Sequence, residues 1–177
     1  PENGFITNYL ISEDSEPTTV KGNSTMIWTM VQDSDGYIWF AELGTKSIWK
    51  LDPKNNDFQL IHSETGAPFQ MKVGKNHDIW FTTLRSNTIG VVSKSINGNY
   101  TVSAFDTGNN TTPAGLFLQD ASVWTANIGT QNILQYKVDR ENDFVKYISL
   151  TEKIPKSNDT IFSSPTDLLL NKNSVWL

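Results

Sequence analysis

Asp35-Gly36-Tyr37-Ile38-Trp39-Phe40-Ala41-Glu42 is the stretch on which the reading of this chain turns. A polar turn with glycine opens directly into a short run of β-branched and aromatic residues, as a strand does when it leaves a tight turn. The cadence returns at Ile79-Trp80-Phe81, Val123-Trp124-Thr125 and Val175-Trp176-Leu177, with Trp-to-Trp steps of 41, 44 and 52 residues. Nine residues after each of the first three Trp stands an isoleucine (Ile48, Ile89, Ile133), and ten or eleven beyond those an aromatic (Phe58, Tyr100, Phe144). Pro68, Pro113 and Pro165 precede the last three Trp by 11 or 12 residues. The first unit has Ile27 and Trp28 where that proline would fall. This is a repeat.

Each unit reads as four short strands. In the second, Phe69–Val73, Asp78–Leu84, Thr88–Val92 and Tyr100–Phe105 are separated by Gly74-Lys-Asn-His, Arg85-Ser-Asn and Ser95-Ile-Asn-Gly. Asn, Asp and Gly tolerate the positive φ that such turns need. The runs are too short and too rich in β-branched and aromatic residues for helices. A repeated four-stranded unit of this length marks a β-propeller. The expected fold is therefore all-β, with four-stranded antiparallel blades over 26–62, 67–106 and 112–150 and partial blades at both ends. Residues 5–12 read as the outer strand of a preceding blade, and 163–177 as the start of a further one. Propellers close with four to eight blades, and an unclosed arc would expose an apolar blade face at each end. The expectation is a segment of a longer chain that forms a six- or seven-bladed ring. A four-bladed ring, with residues 5–12 closing the last blade, lacks one strand.

Composition narrows the function classes. The 177 residues are 37% apolar, 19% charged and 11% aromatic, with six Trp, which excludes disorder for the chain as a whole. A formal charge of −5 offers no basic stripe for phosphates, so nucleic acid is not an expected partner. The longest apolar runs, such as Leu168-Leu169-Leu170, fall far short of the roughly 18 residues of a membrane span. With no Cys, thiolate catalysis, disulfides and Cys-type zinc sites drop out, and two His cannot make a His-rich metal centre. Trp39, Trp80, Trp124 and Trp176 are expected to fill the space between blades rather than to stack a ligand.

The pattern Ile-Trp-Phe-x-Glu in 38–42, and Ile79-Trp80-Phe81-Thr82-Thr83 through Asn87-Thr88-Ile89-Gly90, resembles the streptogramin B (virginiamycin B) lyase-like propellers over most of residues 26–177. The resemblance implies a seven-bladed ring. In true lyases it further implies a magnesium-assisted elimination that opens a cyclic depsipeptide, using His and Glu gathered on one face near the axis.

The loops leading into inner strands and the loops between second and third strands open on one face of a propeller. They present Trp28, Phe69 and Glu42, Thr83, Arg85, Asn127, Gln131 as candidates for a ligand-binding face. Glu42 is expected to be solvated, although it is a carboxylate that could meet a cation or an amine. Glu42, Thr83 and Asn127 match in register, as a polar ring at a channel mouth would. Arg85 can fork onto a carboxylate or simply face water. Trp28 can stack a ligand or pack in the core. Neither His is on this face: His77 falls in a first-to-second turn and His62 ends an outer strand. No catalytic residue, metal ligand or resident cofactor is therefore assigned to this stretch, and magnesium enters only if the parent is a true lyase. Residues 151–162 read as a lengthened loop with Lys153, Lys156 and Asp159 on the same face.

Asn23, Asn99, Asn109, Asn110 and Asn158 each begin an N-glycosylation acceptor in an expected loop. With an acidic pI and no Cys, they point to an extracellular, cell-surface or periplasmic protein. Two functions stay open: a binding or assembly module, with a ligand or protein on the axis face and the rest of its own propeller as first partner; or a magnesium-dependent lyase with catalytic groups on other blades.

Overall fold

The computed structural model describes residues 26–62, 66–141, 144–155, 169–171 and 174–176. All regular elements among them are strands. The first sheet runs β1 (Ile27–Gln32), β2 (Ile38–Glu42), β3 (Ser47–Asp52), β4 (Asp57–His62), paired in that order and antiparallel. The second is β5 (Ala67–Val73), β6 (Ile79–Leu84), β7 (Thr88–Lys94), β8 (Tyr100–Asp106). The third is β9 (Pro113–Gln119), β10 (Ser122–Asn127), β11 (Asn132–Glu141), β12 (Phe144–Pro155). A hairpin of β13 (Leu169–Asn171) and β14 (Ser174–Trp176) follows. These are blades of a β-propeller. The expected strand 5–12 and the acceptors Asn23 and Asn158 lie outside the described residues, as does residue 162 at the end of the expected loop.

Local chemistry sets the turns. Asp33 Oδ1 accepts the amide N–H groups of Asp35 and Tyr37, both at 3.0 Å, and Gly36 adopts φ +89° to close the turn into β2. In the second blade His77 takes the positive φ, 61°.

Period-two alternation then divides each blade into two faces. Trp39, Ala41 and Ile48 of the first blade meet Met71, Ile79, Phe81 and Val92 of the second. Trp80, Ile89 and Val91 meet Leu116, Val123, Leu134, Tyr136 and Val145 of the third. Trp124, Ala126 and Ile133 form the corresponding forward face of the third blade. Each second-strand Trp thus points to the next blade, with its third-strand isoleucine beside it, and Trp39, Trp80 and Trp124 are buried. The alternate residues point back, so Phe40 packs with Trp49 and Leu51. Gly90 faces Phe81 across the β6–β7 ladder because a Cβ there would sit 2.0 Å from the ring. Lys50 is buried with its ammonium 3.4 Å from the Tyr37 ring centre, a cation–π contact at the seam of the first two blades.

One boundary differs from expectation. The outer strand of the third blade does not end at Leu150; β12 continues to Pro155 and pairs with β11 as far as Asn132. A register shift between Gln135 and Tyr136 leaves Thr151 unpaired in the ladder, and its hydroxyl donates to the Gln135 carbonyl at 3.2 Å. Residues 151–155, read from the sequence as loop, are strand.

Candidate functional site

The inner strand of each blade carries an irregularity at the same place. The register shifts between Ile27 and Thr29 in β1, between Pro68 and Met71 in β5, and opposite Ala126 and Asn127 in β9. A bulge re-aims the side chains it releases. In the first blade it turns out Trp28, which is 50% exposed and stacks on Phe69 of the second, with ring centres 5.1 Å apart and planes at 27°. Met26, Ile27 and Met30 flank it, all exposed. In the second blade the bulge releases Phe69 and Gln70. The Gln70 side chain turns towards the third blade, where its carbonyl accepts the Leu116 N–H. The Thr82 hydroxyl donates to the Ala114 carbonyl at 3.0 Å and accepts the Gln70 N–H at 3.2 Å. Phe69 is thereby set beside Trp28 by a strand fixed to the next blade.

The polar candidates are placed differently. Glu42, Thr83 and Asn127 share a register position at the ends of β2, β6 and β10, but all three are buried. They do not form a solvated ring. Glu42 Oε2 accepts from the Thr45 hydroxyl at 2.7 Å and from Trp49 Nε1 at 3.1 Å. Thr83 Oγ1 lies 2.6 Å from Thr88 Oγ1, and Asn127 Nδ2 donates to Asn132 Oδ1 at 3.0 Å. Each ties the second strand to the third just inside the hairpin. The expectation of a solvated Glu42 is corrected: its place in the alternation is the back face, shared with Phe40 and Trp49. Arg85 and Gln131 are exposed at hairpin tips, with φ of 71° and 51°.

Asn87, read from the sequence only as a turn residue, organises this end of the second and third blades. Its carbonyl accepts Thr107 N–H at 2.8 Å and the Thr107 hydroxyl at 2.7 Å. Its side-chain oxygen accepts Thr112 N–H at 3.0 Å. Tyr136 donates its phenol to the Thr107 carbonyl at 3.3 Å. Burial pushes the Tyr136 phenol well above its ordinary range, and the Asp106 charge adds to the shift. The clue in the sequence was the position of Asn87, facing a connection rich in Thr and Gly.

His77 lies on the opposite end, with Nδ1 2.7 Å from Ser34 Oγ in the neighbouring blade's turn. His62 closes β4. Magnesium takes oxygen ligands in octahedral array. On the described face Glu42 is buried, its Oε2 engaged by Thr45 and Trp49 and its Oε1 without a hydrogen-bond partner, and this single carboxylate beside Thr83 and Asn127 does not supply such an array. Asn99, Asn109 and Asn110 are exposed in turns.

Comparison with known proteins agrees with this geometry. The two component regulator propeller family matches residues 21–41. A streptogramin B lyase structure is 26% identical, covering 78% of this chain and 43% of its own, with a TM-score of 0.60. The chain is similar to the streptogramin B lyase propellers. The virginiamycin B lyase from Staphylococcus aureus, at 15% identity, covers 86% of this chain and 62% of its own with a TM-score of 0.56. The extracellular domain of a hybrid two component system from B. thetaiotaomicron is 12% identical and covers 82% of this chain and 18% of its own, with a TM-score of 0.60. Those last two likenesses show the fold alone. No curated protein matches the sequence. The chain spans less than half the length of the 26%-identical lyase.

Proposed function

We propose that this segment belongs to an extracytoplasmic propeller that binds a ligand at the Trp28–Phe69 end of its inner strands, and that its own residues do no proton chemistry there. The stacked pair carries the reading. Two aromatic rings from neighbouring blades, released by bulges and held by the Gln70 clasp, make a preformed platform for a flat or apolar group. Arg85 follows Leu84, which pairs with Ala67 at the start of the strand that carries Phe69, and is an exposed cation that can select an acidic group. A base for elimination must reach a substrate proton, and Glu42 is buried inside its hairpin. Exposed acceptors at Asn99, Asn109 and Asn110 support the location.

The similarity to a streptogramin B lyase favours a second reading, in which the whole ring is a magnesium-dependent lyase with catalytic groups on other blades. The test is incubation of the intact protein with a streptogramin B and magnesium, followed by mass spectrometry. The proposal expects a complex weakened severalfold by Trp28→Ala and no linear product. Linear product that persists in Glu42→Gln establishes the second reading. Product that disappears in Glu42→Gln, with the variant folded, overturns the assignment of Glu42 to the hairpin.

A further inference from the structure

The first-to-second turns of the first two blades follow one plan with one substitution. In the first, Asp33 N–H donates to the Tyr37 carbonyl at 3.0 Å and Gly36 N–H to the Asp33 carbonyl at 3.1 Å. In the second, Gly74 N–H donates to the Asp78 carbonyl at 2.8 Å and His77 N–H to the Gly74 carbonyl at 3.1 Å. Gly74 therefore stands where Asp33 stands. The Asp33 carboxylate accepts the indole N–H of Trp39 at 2.7 Å. At Gly74 there is no side chain to do the same for Trp80, although a Cβ built there would lie 3.0 Å from Trp80 Nε1. No acceptor among the described residues takes that indole N–H.

The indole edge of Trp80 borders a cleft. Between the second and third blades lies a space of about 360 Å³ lined by Gly74, Lys75, Trp80, Asp120, Ser122 and Arg140, among others. Its size suits a single-ring ligand. Its wall carries Lys75 and Arg140 together with Asp120, and Arg140 is held by the buried Asp78 at 2.5 Å, so the cation that can be redirected is Lys75. Lys75 and Asp120 bridge the two blades at 2.7 Å, with both side chains about three-quarters exposed. The Lys75 ammonium holds the Asp120 carboxyl below its usual range. So exposed a pair opens at little cost, freeing Lys75 for an incoming anion.

We propose that this cleft binds a small organic carboxylate, which takes from Trp80 Nε1–H the hydrogen bond that Asp33 takes from Trp39, and which Lys75 holds electrostatically in exchange for Asp120. The site is on the opposite end of the blades from the Trp28–Phe69 platform and does not depend on it. A carboxylate in such a place can come from a uronic acid or from an acylated amino acid. The probes are therefore glucuronate and N-acetylglycine, each against its neutral counterpart, glucose and N-acetylglycinamide.

The experiment is titration of the ¹⁵N-labelled intact protein, following indole N–H resonances, with the Trp80 signal assigned by Trp80→Phe. At least one carboxylate should shift the Trp80 signal and bind at least tenfold tighter than its neutral counterpart, as a hydrogen bond to a charged group requires. Which one does so identifies the source. Gly74→Asp, which restores the arrangement of the first blade, should abolish the shift; Gly74 is not a positive-φ residue, and the Trp80 ring has to give by a few tenths of an ångström to admit the new Cβ, so the variant's fold is checked by its spectrum. Lys75→Ala, at an exposed position that cannot unfold the blade, should weaken binding severalfold. The proposal is overturned if neither carboxylate surpasses its neutral counterpart, or if folded Gly74→Asp binds as the parent does.

Discussion

The ends of the second strands and the starts of the inner strands lie at the same end of the blades, yet they have opposite fates. Glu42, Thr83 and Asn127 are polar and buried; Trp28 is apolar and half exposed. The difference comes from backbone register. A regular ladder keeps the last residue of the second strand in alternation, so it points between blades and finds its partner on the third strand. A bulge breaks that alternation at the inner strand and turns Trp28 and Phe69 out of it. Polarity alone would have sorted these residues the wrong way round.

The comparison can be broken by removing a lock. Glu42→Ala leaves the buried Trp49 indole N–H without its acceptor, and should destabilise the protein by about 1–3 kcal/mol in urea unfolding. Gly90→Ala drives a Cβ into the Phe81 ring, which is itself fully buried, and should cost about 1–3 kcal/mol by overpacking. Thr83→Val keeps the shape and loses the bond to Thr88, with an expected loss of about 1 kcal/mol. Trp28→Ala belongs on the other side of the comparison. It should change unfolding stability less than any of these while weakening the ligand complex.

A pH measurement sharpens the same contrast. The Tyr136 phenol has its folded pKa raised above the unfolded value of about 10. The folded state then holds its proton where the unfolded state gives it up. Its stabilising share is complete below pH 10 and declines as pH rises beyond it. Tyr136→Phe should lose that part of the alkaline decline, read from unfolding midpoints between pH 8 and 11.

Much of the fold was legible because a propeller repeats its spacing. Trp39, Trp80 and Trp124 each announce a second strand, and Ile48, Ile89 and Ile133 the third strand that packs beside them. The end of β12 was not, since Thr151–Pro155 lacks apolar alternation and is strand only through its pairing with β11. The burial of Glu42 was readable in principle: counting by twos from Trp39 sets it with Phe40 on the back face, and Trp49, next to Ile48, is its donor. In the sequence Gly74 is a turn glycine and no more; its meaning appears when its turn is laid over that of Asp33. Asn87 was equally hidden, since its acceptor role needs the connection at 107–112 folded against it.

The most direct test of the central claim is hydroxyl-radical footprinting of the intact protein, read residue by residue by mass spectrometry. Trp28 should be oxidised many times faster than Trp39, Trp49, Trp80 or Trp124, and the streptogramin probe should slow it. Oxidation of Trp28 as slow as that of Trp39 would mean that another part of the chain covers the platform, and would contradict its assignment as a ligand surface.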